Sequence, residues 1–198
     1  MILNHLMGLY THPKQEWHTI EKNNEALKSS LSHILLIALI PVICTFIAAT
    51  ELGWNLGVSD RLFLTQESAL LMSGGMYFGL IVGVFILAYL AFWMAKTFDA
   101  NPSYTQALEL AAYTATPLFM VGLAALYPTI WFVMVVGLFG LAYSVYLLYT
   151  GVPIIMNIPE EKGFIYASSM VTAGLVLLVA LMASTVILWS IGLGPIYQ

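Results

Sequence analysis

Glu109 is the one carboxylate placed inside an apolar stretch of this 198-residue chain, and Tyr113 and Thr116 follow it in the same stretch. An ionised carboxylate in hydrocarbon costs several kcal/mol, so such a group is a candidate proton or cation site with Tyr113 and Thr116 lining a path. Its position argues the other way. Asn101-Pro102-Ser103 followed by Gln106 reads as a helix start with a capping box, which puts Glu109 about 9 Å past that start. That is close to the headgroups, where the helix dipole favours an anion. The leading expectation is an interfacial Glu109; the rival is a buried one holding a proton or a cation.

Other reactive types do not assemble. The histidines fall at His5, His12, His18 and His33, and His12, Glu16 and His18 are the nearest approach to a zinc site. Six residues turn a helix by about 240° beyond one full turn, away from the shared face that ligands at i and i+4 need, so no metal is expected. Glu160-Glu161-Lys162 after Pro159 reads as a solvated loop, and Thr50-Glu51 and Gln66-Glu67 as polar borders of apolar runs. Cys44, the single cysteine, lies in an apolar run and reads as a small buried residue. No nucleotide loop, nucleophile elbow or haem-attachment motif is present, so neither a cofactor nor an enzyme is expected. Six Lys and Arg in the whole chain leave no cationic groove for nucleic acid.

The elements that must position these groups are membrane spans. The chain is 61% apolar and 8% charged, with a net charge of −4 and a mean hydropathy of +0.91, far from the roughly 25% charged residues of soluble domains. Apolar runs cover about 31–50, 68–95, 107–149 and 167–191. Between Ala107 and Tyr149 lie 43 residues whose only charge is Glu109; as one helix they would extend roughly 65 Å, about twice the hydrocarbon thickness. Tyr127-Pro128 breaks them into spans 107–126 and 129–149, because proline lacks an N–H and disfavours helix in the residue before it. Gly192-Leu193-Gly194-Pro195 stops the last run. The expected fold is an all-α integral membrane protein: a tail over 1–30 with a short amphipathic helix, then a five-span membrane domain over 31–198.

Five spans put the termini on opposite sides. Lys14, Lys22, Lys28, Lys96 and Lys162 share the side of the N-terminus and Arg61 has the other, so the positive-inside rule places the N-terminus in the cytoplasm. Trp54, Tyr127, Trp131, Trp189 and Tyr197 would form the outer aromatic belt, with Trp93, Tyr104 and Tyr149 at the inner border. In the tail, Pro13 starts a helix in which Glu16, Trp17, Ile20, Glu21, Ala26 and Leu27 alternate faces. Trp17, Ile20 and Leu27, interrupted by Asn24, make a stripe suited to the headgroup layer; a loose soluble tail and partner docking are the alternatives.

Gly75, Gly79 and Gly83 expose backbone along one face of the second span, and Ala107, Ala111 and Ala115 repeat the spacing in the third. Close approach of such faces supplies the dispersion that lipid cannot match, so spans two and three are expected to meet there. A homodimer through the glycine face is the rival. Pro41 and Pro117 kink spans one and three; each frees a backbone carbonyl, which in some transporters coordinates ions, or else makes a static bend.

The tail around His12-Pro13-Lys14-Gln15-Glu16-Trp17-His18-Thr19-Ile20, the five spans, and Ala112-Tyr113-Thr114-Ala115-Thr116-Pro117 together resemble the Yip1 domain family, whose members often carry Gly-Tyr with a proline three residues on. Ala112 stands where that glycine is usual. Ile40-Pro41-Val42-Ile43-Cys44 and Ala124-Ala125-Leu126-Tyr127-Pro128 extend the resemblance to the bacterial inner-membrane branch over nearly the full length. The resemblance implies five spans, a cytoplasmic N-terminus and a non-enzymatic role. Eukaryotic members associate with Rab GTPases, but their tyrosine-glycine-proline tail signature is not evident here, and no Rab partner is expected in a bacterium. The expectation is a multi-pass inner-membrane protein acting through helix, lipid or partner contacts, including self-association, with a small transporter or channel as the alternative.

Overall fold

Lipid offers no partners to backbone N–H and C=O groups, so each apolar run must close its hydrogen bonds within a helix. The computed structural model has five helices long and apolar enough to cross a membrane. It describes residues 2–23, 27–57 and 60–198, with side chains from residue 7 onward except 23. Asn24, which interrupts the expected stripe, Ala26 of the expected tail helix, and the side chain of His5 lie outside these residues. Among the described residues the helices are α1 (Ile2–Thr11), α2 (Pro13–Asn23), α3 (Leu27–Ile47), α4 (Gln66–Ala95), α5 (Tyr104–Met120), α6 (Ile130–Ile155) and α7 (Glu160–Leu188). Short stretches of altered pitch extend α3 to Leu52, α4 to Phe98, α5 to Leu126 and α7 to Leu193.

The helices outrun the apolar runs, since a helix need not stop at the hydrocarbon edge. α6 continues through Pro153 to Ile155, and Glu160-Glu161-Lys162 form the first turn of α7 rather than a loop, with both acids at the positive end of the helix dipole. The capping box forms as read. The Ser103 hydroxyl accepts from the Gln106 N–H at 3.2 Å, and Gln106 Oε1 accepts from the Ser103 N–H at 2.8 Å.

α5 is the hub. In its most apolar stretch 67% of residues are buried in protein, against 0% in that of α7, which therefore faces lipid along most of its length. Ala111 and Ala115 of α5 pack with Val84 and Ala88 of α4 and with Ile34 and Ala38 of α3, while Ala107 joins Ala91, Ala95 and Val152. Spans two and three thus meet through the alanine stripe, but not through the glycines. A methyl added at Gly75 or Gly79 meets nothing within 4 Å, and one at Gly83 touches Leu181 of α7 at 3.9 Å. The glycine face is turned away from α5, because the larger Val84 and the alanines beside it fill that interface.

The N-terminal segment also departs from expectation. Apolar Ile2–Thr11 forms a helix of its own, and the apolar face of α2 packs on protein instead of headgroups. Trp17 and Ile20 are fully buried, and a methyl at Gly151 of α6 would sit 2.6 Å from the Trp17 ring. The glycine is what lets the indole come this close to the α6 backbone. α1 is tied down as well: the Tyr143 hydroxyl donates to Leu9 O at 2.8 Å, and the Tyr10 and Tyr143 rings stack at 5.2 Å.

The two ends of the bundle are closed differently. At one end Lys162 Nζ reaches Asp99 Oδ2 at 2.5 Å. At the other, backbone bonds stitch the α3–α4 loop to the Pro128 turn and the C-terminal tail, with Asn55 N to Pro128 O at 2.8 Å, Thr65 N to Ile196 O at 2.9 Å and Gln198 N to Phe63 O at 3.1 Å.

Candidate functional site

Starting α5 at the Ser103 cap sets the rotation of everything after it. Glu109, Tyr113 and Thr116 fall at i, i+4 and i+7, so they share one face of α5. All three are buried, Glu109 and Tyr113 completely. The expectation of an interfacial, water-reachable Glu109 is thereby corrected. The helix does begin where the cap predicts, but α5 is surrounded by other helices, so depth along its axis does not translate into exposure.

α3 brings a fourth group. His33 Nε2 lies 2.9 Å from Thr116 Oγ1, and the Thr116 hydroxyl donates its one proton to Ala112 O at 3.0 Å. Thr116 Oγ1 can then only accept from the ring, which assigns a proton to Nε2. The imidazole also lies against Tyr113, with ring centroids 4.7 Å apart. Tyr113 in turn meets the Trp17 indole edge to face at 6.3 Å, so α2 covers the cluster from the side of α6.

Trp17 Nε1 and Ser30 Oγ, on the turn of α3 before His33, are buried with no hydrogen-bond partner among the described residues. Unmet polar capacity of this kind in a core costs about 1–3 kcal/mol per group. The imidazole of His33 thus meets the Thr116 hydroxyl and the Tyr113 ring in the protein interior, on the α5 face that also carries the buried Glu109 carboxyl.

The remaining sequence candidates lie elsewhere. Pro13 starts α2 and Pro128 sits in the turn before α6. Pro41 lies on a different seam, where its backbone comes so near Gly122 that a methyl on the glycine would overlap it, and its carbonyl accepts from Thr45 Oγ1 at 2.7 Å. Pro117 is buried in α5, and its carbonyl accepts the Val121 N–H. His12 and His18 are exposed, and among the described residues no three His, Cys, Asp or Glu side chains gather as metal ligands. Outside the spans, Lys162 holds the Asp99 carboxyl below the usual carboxylate range, first by its hydrogen bond and then by its charge.

Two participants escaped the sequence reading. Trp17 read as a lipid anchor, since nothing local distinguishes an indole facing headgroups from one facing glycine. His33 was counted only among possible metal ligands. Its place within the run 31–50 is the signal that would have found it, because an ionisable residue in a span is a site candidate whatever its neighbours in sequence.

Comparison with known proteins agrees with this architecture. The Yip1 domain model matches residues 7–181. The inner membrane protein YohC of Escherichia coli strain K12 is 40% identical over 191 residues, covering 96% of this chain and 98% of the relative. The same protein from Escherichia coli O6:H1 matches to the same extent. No solved structure matches. With the family model spanning α1 to most of α7, and a relative this similar over nearly its whole length, the chain belongs to the Yip1 domain family.

Proposed function

We propose that this chain is a non-catalytic, multi-pass protein of a bacterial inner membrane, with α1 and α2 on the cytoplasmic side, that acts through its membrane-facing surfaces and associates with a second copy of itself across α4. One observation carries the reading: Gly75 and Gly79 present bare backbone with nothing within 4 Å of either Cβ position. Helices in lipid gain little from burying apolar surface and associate through close backbone contact, so such a face is where another helix gains most. The similarity to an inner membrane protein and the excess of lysines on one side of the spans support the location.

The test is disulfide crosslinking in membranes from a Cys44→Ser background. A cysteine at Gly79 should form dimers, and one at Phe139, a more exposed lipid-facing position on α6 with 73% exposure, should not. Equal yields at the two positions, or none at Gly79, would sink self-association through this face.

A second reading, a small proton-linked transporter or channel, is favoured by the gathering of His33, Tyr113 and Thr116 on the α5 face that carries Glu109. Ion flux in reconstituted vesicles that disappears with Glu109→Gln supports it; absence of flux in the unaltered protein rejects it.

A further inference from the structure

α4 has 30 residues, about 45 Å of helix against roughly 30 Å of hydrocarbon, so its ends reach headgroup depth. Near its C-terminal end, Tyr89, Phe92, Trp93, Lys96 and Thr97 line one open groove. These positions recur at i, i+3, i+4, i+7 and i+8, a single face of a helix. The opposite face, Ala88, Ala91 and Ala95, is buried against the bundle, which turns the groove outward to lipid.

Its composition changes with depth. Three aromatic rings occupy the inner part, and Phe92 is braced edge to face by Tyr104 of α5 at 6.0 Å. An ammonium and a hydroxyl occupy the outer part. Asp99, the acid nearest to Lys96 in sequence, is engaged by Lys162 at 2.5 Å, and Lys96 has no carboxylate partner among the described residues. A cation left unneutralised at headgroup depth, beside a hydroxyl donor and above an aromatic shelf, is complementary to one molecule: a phosphate ester with acyl chains attached.

We infer that this groove binds a single anionic phospholipid, with its phosphate at Lys96 and Thr97 and an acyl chain lying along Tyr89, Phe92 and Trp93. Lysine bends its stem toward the interface and contributes its charge there, while the aromatic rings supply apolar contact without sequence-like selectivity for the headgroup. Headgroup preference therefore comes from Lys96 and overall retention from Trp93. The site is independent of the self-association proposed above, since Lys96 lies about 25 Å along α4 from Gly79.

The test uses the purified full chain in nanodiscs of mixed phosphatidylcholine and phosphatidylglycerol, counting retained lipids by native mass spectrometry during stepwise removal. The unaltered protein should hold one phosphatidylglycerol in preference to phosphatidylcholine. Lys96→Gln should lower that preference about fivefold, Lys96→Arg should keep it, and Lys14→Gln, on the exposed face of α2, should leave it unchanged. Trp93→Ala should reduce retention of both lipids alike. Gly79→Leu should alter dimer formation without altering lipid preference, which separates this site from the other proposal. A Lys96→Gln protein that still prefers phosphatidylglycerol overturns the inference. So does displacement of the lipid by inorganic phosphate as completely as by added phosphatidylglycerol, which would make the groove a site for free phosphate.

Discussion

His33 Nε2 and Thr116 Oγ1 lie 2.9 Å apart across the seam of α3 and α5, joining two spans separated by 83 residues of sequence. Both side chains are almost fully buried, so this hydrogen bond has no water to fall back on. Thr116→Val keeps the shape and removes the acceptor of this bond. Stability should fall by about 1–3 kcal/mol, while Thr116→Ser, which keeps the hydroxyl, should lose much less. Thermal unfolding of the two variants in one detergent checks the order.

Gly151 and Trp17 set the docking of the N-terminal helices. Gly151→Ala places a methyl 2.6 Å from the indole and 3.0 Å from Leu110, so α2 must lift from α6. Trypsin should then cut faster after Lys14 and Lys22. Gly74→Ala, where nothing lies within 4 Å, should leave the cutting rate alone. Equal rates in the two variants would contradict the docking.

Gly122 sits against the Pro41 backbone, which cannot move aside as a side chain would. Gly122→Ala should therefore destabilise the monomer by about 1–3 kcal/mol, as overpacking does. Gly75→Ala should be neutral in the monomer or stabilising, since alanine is the better helix former. Unfolding midpoints in detergent at low protein concentration compare the two.

Asp99 and Lys162 give an acid-side pH dependence. The folded carboxyl of Asp99 is held below its usual range by Lys162, so the unfolded chain binds its proton first as pH falls. The contribution is present above the unfolded carboxylate range and is lost as pH drops through the lower folded value. Both groups are exposed, so the effect is small and screened by salt. Lys162→Gln should flatten this part of the melting temperature against pH, and raising the salt should flatten it in the unaltered protein too.

Much of the candidate site was legible in part. The Ser103-Gln106 spacing located the start of α5 and hence the register of Glu109, Tyr113 and Thr116, because a capping box is a local interaction. That Glu109 is enclosed was not legible, because enclosure depends on which helices surround α5. The same limit applies to the glycines: four-residue spacing announces a face able to pack closely, but only the rotation of α4 decides whether it meets α5 or is left bare.

By itself the sequence determined the medium, the number of crossings, the break at Tyr127-Pro128 and the stop near Gly192. Each of these follows from hydropathy and backbone chemistry along a continuous segment. The tertiary structure alone decided that α5 is the hub, that His33 comes to Thr116, that Trp17 lies on Gly151, and that Lys162 takes Asp99 and leaves Lys96 with no carboxylate partner among the described residues. Those are contacts between distant residues. Inside a bilayer nearly every helix face is apolar, so hydropathy cannot rank one helix pairing over another, and steric fit and the few buried polar groups make the choice.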